Sequence, residues 1–355
     1  AFYFLTPRVW YLGLATLLMN VYILAADLYY TRKLLPQVHI SRRFFAASRV
    51  RDLVASGFWN SFTRLSDIFS RGLDLLITNL FIGGVAMGSL SVSRLLPGQI
   101  LSLFAVIAGV FAPEFTILFA KGDKQAMLGQ INGSIKLLGC FSCIPMAILF
   151  AYGDTFYSLW LPTQNARLLQ TLSILNCFSY VFALPLEGLW NIFTAMNKVK
   201  TTSLFLFANS IVSIIALLIA LRFSNDMETK LIIVAGLSTI LSIIRALTFL
   251  PMYGAHCLGL RLTAFYPSIF KNAMAVIAAT AFSFGVKALL NGASWGALVL
   301  ECSITSIVAF GFSFMLVLSR EDRSHLLDKI KNKMGKGREA IQDGEVGKNK
   351  TKIHK

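Results

Sequence analysis

The chain has 355 residues, 56% of them apolar and 14% charged, with a mean hydropathy of +0.67 and a formal net charge of +16. Apolar runs of about 20 residues recur along its whole length, each sufficient to cross a bilayer as a helix, which leaves no room for a separate soluble domain. The runs are continuous rather than alternating, so they read as helices and not as the strands of a barrel.

In chain order, the first predicted span runs from Arg8 to Tyr30. It is too long for the apolar core of a signal peptide, and no small-residue cleavage site follows it. A basic loop with Arg32, Lys33, Arg42, Arg43, Arg49 and Arg51 comes next. Further spans are predicted at 57–82, 88–119, 136–160, 168–196, 202–222, 231–253, 265–286 and 295–318, about nine in all. From residue 319 a Lys/Arg-rich tail follows, read as a disordered cytoplasmic segment attracted to anionic membrane lipid.

Placing the Arg32 loop in the cytoplasm and alternating sides gathers 24 of the 33 Lys and Arg residues on the inner side and leaves six outside. By the positive-inside rule the N-terminus then faces out and the C-terminus in. Basic charge arranged in this way is a topology signal, so no nucleic-acid partner is expected. An outward N-terminus with neither initiator Met nor signal peptide suggests a fragment lacking upstream spans. The five cysteines, Cys140, Cys143, Cys177, Cys257 and Cys302, fall in or beside apolar helices and read as buried thiols. Cys140 and Cys143 have CxxC spacing but no βαβ context to make a redox motif. The histidines show no metal-ligand spacing, and neither metal nor cofactor is expected.

The second span is unlike the rest. Around the stretch TRLSDIFSRGLD, residues Asn60, Arg64, Asp67, Arg71, Asp74 and Thr78 recur at steps of three and four, which puts them on one face of a continuous helix. Inserting its four charged residues costs about 10 kcal/mol, against about 5 kcal/mol returned by its Leu, Ile and Phe residues. Pairing of Arg64 with Asp67, Arg71 with Asp74, or Asp67 with Arg71 lowers that cost without removing it. The charges must therefore meet protein or a water-filled space. One reading is an ion-paired stripe that fixes this helix to its neighbours; the other is the polar wall of a translocation pathway. Charges in other spans favour the second: Arg94 and Glu114 in the third, Glu187 in the fifth and Arg245 in the seventh. Glu187 and Asp67 each fall about 16 Å from the cytoplasmic edge, near the midplane where transporters bind substrate or coupling ion. Pro97, Pro113 and Pro185 are expected to bend their helices.

Several motifs carry a resemblance. "LDLLITNLFIGG" in the 72–84 region, "SLSVSRLLPG" at 89–98, "ILFAKGDKQ" at 117–125, "FYSLWLP" at 156–162 and "LEGLWNIFTAMNKVK" at 186–200 resemble, in order, the carboxy-terminal half of Wzx-type polysaccharide flippases. These belong to the MOP superfamily with MATE antiporters and MurJ. The resemblance implies an all-α polytopic membrane fold. Residues 1–56 would hold the last helix of the amino-terminal lobe and the inter-lobe loop, 57–256 the second six-helix lobe, 257–318 two additional helices, and 319–355 the tail. It further implies a bacterial cytoplasmic membrane protein, not an enzyme, that flips undecaprenyl-pyrophosphate-linked oligosaccharide by alternating access, with polysaccharide polymerase machinery as a partner. Under it Arg64, Arg71 and Arg94 would meet the anionic diphosphate, and Asp67, Asp74 and Glu187 would meet sugar, proton or cation, with Glu187, Asp67 and Glu114 as ion-coupling candidates. Asn60, Thr78 and Arg245 complete the cavity set. The five helices expected before the first span are missing. Rival readings are a MATE-like cation or drug antiporter, which the arginines disfavour; a membrane polymerase or ligase, which short outer loops and the lack of a nucleophile–base set disfavour; and a non-transporting scaffold.

Overall fold

The protein is described here from a computed structural model covering residues 10–34, 36, 46–223, 226–290, 292–318 and 323. The basic tail, apart from position 323, and most of the loop after the first span lie outside the described residues. The chain divides into two compact units, Ala1–Gly57 and Phe58–Lys355. The first holds α1 (Trp10–Leu34), an apolar helix with mostly exposed side chains, and the beginning of α2 (Ala47–Arg71). The second holds the rest of α2, then α3 (Leu73–Phe81), α4 (Gly84–Ser93), α5 (Leu95–Gly109), α6 (Ala112–Lys121), α7 (Lys124–Trp160) and α8 (Ala166–Cys177). It continues through α9 (Tyr180–Ala183), a 3₁₀ turn at Leu184–Leu186, α10 (Leu189–Ala195), α11 (Val199–Ala220), α12 (Met227–Leu247), α13 (Phe249–Leu258), α14 (Tyr266–Leu290) and α15 (Trp295–Leu316).

Among the described residues, eight helical stretches are long and apolar enough to cross a membrane. They correspond to the predicted spans other than 57–82, which is also helical but too rich in charge to qualify. The all-α polytopic architecture is as the sequence implied. In the second unit the centre is α7, buried on most of its surface between α8, α14 and α15. Between helices in lipid the hydrophobic effect gives little net drive, so close packing of small residues must supply it. On α7 Gly139, Cys143, Ala147 and Ala151 recur at steps of four and, with Ser142 beside them, are buried, opposite buried Ala275, Ala279 and Ser283 of α14. Both CxxC thiols are buried, and Cys143, in this seam, donates to the Ala275 carbonyl at 3.2 Å.

Proline sets the interruptions within the crossings. It lacks the N–H that would bond the carbonyl four residues back, and its ring crowds that carbonyl. The α4–α5 break at Arg94 lies three residues before Pro97, and the α12–α13 break at Thr248 three before Pro251. Pro113 follows the α5–α6 break, and Pro185 stands in the 3₁₀ turn. A freed carbonyl in an apolar interior needs a donor. Three obtain one from a side chain on another helix. Ser93 O accepts from Ser173 Oγ at 2.7 Å, Val181 O from Asn272 Nδ2 at 2.8 Å and Leu247 O from the Tyr266 hydroxyl at 2.5 Å. Each is the carbonyl four residues before a proline. Pro145, by contrast, sits inside α7 without interrupting it.

Loop ends are capped from local sequence. Asp123, Asn165, Asp226 and Ser294 accept the backbone N–H three residues on at the starts of α7, α8, α12 and α15. The bonds from the backbone and hydroxyl of Thr229 hold the exposed Asp226 carboxyl below the usual carboxylate range. Gly122 and Gly259, both at φ 69°, take the left-handed conformation that ends α6 and α13.

Candidate membrane-embedded polar site

Past residue 57, α2 packs on α11. The Phe62 and Phe207 rings lie 4.6 Å apart, Thr63 Oγ1 and Ser203 Oγ share a 2.6 Å hydrogen bond, and Ser210 Oγ donates to Ser66 O at 3.0 Å. Arg64 is two residues from both Phe62 and Ser66, so it projects about 200° round the helix from each. Its side chain is exposed. The side chains of Asn60, Asp67 and Arg71 lie outside the described residues.

The stripe does not continue on one uninterrupted helix, because α2 ends at Arg71 and α3 begins at Leu73. Gly72 occupies the join. Its N–H still bonds Ile68 O at 2.8 Å, and a Cβ placed there would stand 2.8 Å from that same oxygen. The step of three from Arg71 to Asp74 therefore crosses an interruption, and the last two stripe positions belong to a different helix.

Asp74 is buried and its partner is Arg94, at the α4–α5 break. The guanidinium forks onto the carboxylate, Nη2 to Oδ2 at 2.5 Å and Nη1 to Oδ1 at 3.1 Å, with side chains 19% and 6% exposed. Such a two-point geometry is the form in which a desolvated ion pair best offsets its burial cost. Arg94 Nε donates to Asn176 Oδ1 at 3.2 Å, and Asn176 Nδ2 donates to Leu172 O at 2.8 Å within α8. Beside it, Ser173 Oγ, which donates to Ser93 O, shares a 2.6 Å bond with the Tyr157 hydroxyl of α7. One polar assembly thus ties α3, the α4–α5 break, α8 and α7 together inside the membrane region.

Of the other candidates, Thr78 shares α3 with Asp74, while Glu114, Glu187 and Arg245 stand on other elements. Thr78 is buried, and its hydroxyl donates to Asp74 O at 2.7 Å, within α3. Glu114, in the first turn of α6, is exposed and accepts from Gln130 Nε2 of α7 at 2.5 Å. Glu187, following the 3₁₀ turn, and Arg245, in the last turn of α12, are both half-buried and engaged. Sequence reasoning missed Asn176, Ser173 and Tyr157. The first two stand three residues apart in "SILN" and so share a face of α8, a signal present in the sequence but outweighed by the charges elsewhere. It also missed Lys287 and Asp154, which pair between the C-terminal parts of α14 and α7.

The chain matches no protein-family profile and no solved structure. It is similar to an uncharacterized membrane protein, EpsK, of Bacillus subtilis (strain 168), at 24% identity over 329 residues. The match covers 93% of this chain and 64% of that relative, so the chain spans somewhat less than two thirds of the relative's length. With its succession of membrane-length helices and a membrane-protein relative, the chain is a multi-pass, all-helical membrane protein.

Proposed function

We propose that the chain serves in moving a lipid-linked oligosaccharide across the bacterial cytoplasmic membrane by alternating access, without covalent chemistry. The observation that carries the reading is Arg64: an exposed arginine on the side of α2 away from its α11 contact, in a chain built of membrane-length apolar helices. Facing hydrocarbon, such a residue costs several kcal/mol; facing a water-filled pathway, it does not. Arginine suits a diphosphate because its planar fork matches phosphate oxygens and its charge persists at any cellular pH. Arg64 and Arg71 are assigned to the diphosphate, and Asp67 and Glu187 to sugar hydroxyls or a coupling cation. Arg94 is assigned to holding Asp74, since its fork is already engaged there. Polysaccharide polymerase machinery is the proposed partner. The test is export of surface polysaccharide in cells carrying Arg64→Leu or Arg64→Lys at matched protein level. Export is expected to fall at least about ten-fold in Arg64→Leu, the loss of roughly one charged hydrogen bond, and less in Arg64→Lys. Undiminished export in Arg64→Leu would remove Arg64 from the pathway.

A further inference from the structure

The end of the second unit that the loop charges place outside contains a cleft of about 460 Å³. Asp154 and Ser158 of α7, Arg167 of α8, Lys287 of α14, Gly292 of the α14–α15 link and Glu301 of α15 line it. Glu301 is 1% exposed on a helix that is otherwise uncharged. Among the described residues it accepts one hydrogen bond, from Gly292 N–H to Oε1 at 3.4 Å. That distance is at the long limit for such a bond. Lys287, by contrast, is engaged, donating to the Asp154 carboxylate and to Ala151 O, the latter at 2.8 Å. A carboxylate offers about four acceptor positions. Glu301 therefore has acceptor capacity left to turn toward the cleft it lines.

We propose that this cleft binds a neutral saccharide, with Glu301 as its principal hydroxyl acceptor. The cleft has room for a small molecule rather than a bare ion alone. Charge narrows the class further. Two carboxylates and two cations line the walls, so Lys287 and Arg167 oppose a cation and Glu301 and Asp154 oppose an anion. A neutral polyhydroxyl compound suits both, donating to the carboxylates and accepting from the cations. Aromatic surface stands at the same end: Phe156 contacts Trp160 at 5.6 Å and Trp295 at 5.8 Å between ring centroids, and the two indoles are 41% and 49% exposed. Interfacial tryptophans are common in membrane proteins, but a belt residue does not account for a buried carboxylate facing a cleft.

The saccharide's cellular origin rests on the transport reading; its binding does not. Calorimetry on the purified full chain in detergent would use the repeat-unit oligosaccharide released from the cell's own surface polysaccharide, with glycine betaine, sodium chloride and inorganic diphosphate as contrasting probes. The oligosaccharide is expected to bind, and at least about ten-fold more weakly in Glu301→Gln, as for loss of a charged acceptor. Ser158→Trp changes an exposed wall residue and fills the cleft. It should abolish binding with an unchanged melting temperature, which separates loss of the site from misfolding. Competition by the polyprenyl-diphosphate-linked form would support a station for the lipid-linked glycan, and binding of the free form alone a site for glycan already released. Binding unaffected by Ser158→Trp, or binding of betaine, sodium or diphosphate in place of the oligosaccharide, would overturn the proposal. Transport without saccharide binding overturns the cleft alone; binding without transport overturns the transport reading alone.

Discussion

Asp74 and Arg94 show why a list of charged residues is not yet a site. In the sequence Asp74 belongs with Arg71, three residues away, and Arg94 stands alone. In the fold Gly72 interrupts the helix between Arg71 and Asp74, and Pro97 opens the α4–α5 break where Arg94 sits, from which its fork reaches Asp74. The existence of intramembrane charge was legible from composition, because each charge has a high insertion cost. The pairing was not, since it depends on where α4 lies against α3, and no local spacing encodes that. Truncating one member orphans the other inside the bundle. Arg94→Ala should therefore cost about 3–5 kcal/mol, whereas Asp74→Leu with Arg94→Met should be near neutral or stabilising. Unfolding of the purified variants in mixed micelles measures both. A cost below about 1 kcal/mol for the single change would mean that the pair is solvated rather than desolvated.

At the scale of elements, the crossings were legible because hydropathy and length specify them, although α2 and α7 begin ten and twelve residues before the predicted spans. The interruptions at Pro97 and Pro113, and the turn at Pro185, were legible in kind, since proline acts through its own backbone, whereas the break before Pro251 was not anticipated. What local sequence did not disclose is how the freed carbonyls are satisfied. Ser173, Asn272 and Tyr266 are respectively 80, 91 and 19 residues from the carbonyls they serve, so only tertiary packing brings them there. This gives a cycle with a definite sign. Tyr266→Phe should destabilise by about 1–3 kcal/mol, because it leaves Leu247 O without that donor. In a Pro251→Ala background residue 251 regains an N–H for the same carbonyl, and the cost of Tyr266→Phe should fall below about 0.5 kcal/mol, the difference being the coupling energy. Equal costs in both backgrounds would show that the proline and the tyrosine act independently.

For the whole molecule, the loop charges imply an orientation when α2 is counted as a crossing beside the eight long apolar helices. With the native cysteines replaced, a cysteine at position 164, between α7 and α8, should react with a membrane-impermeant maleimide on intact cells, and one at position 124, at the start of α7, should not. The reverse pattern would invert the topology and place the Glu301 cleft inside. The helix that composition makes least at home in lipid, α2, carries the transport reading. That reading is tested most directly by reconstituting the full chain in vesicles and following transfer of a fluorescent polyprenyl-diphosphate oligosaccharide between leaflets. The account predicts transfer well above that of protein-free vesicles, reduced in Arg64→Lys and nearly lost in Arg64→Leu. Transfer no faster than in protein-free vesicles, or equally fast in Arg64→Leu, would contradict it.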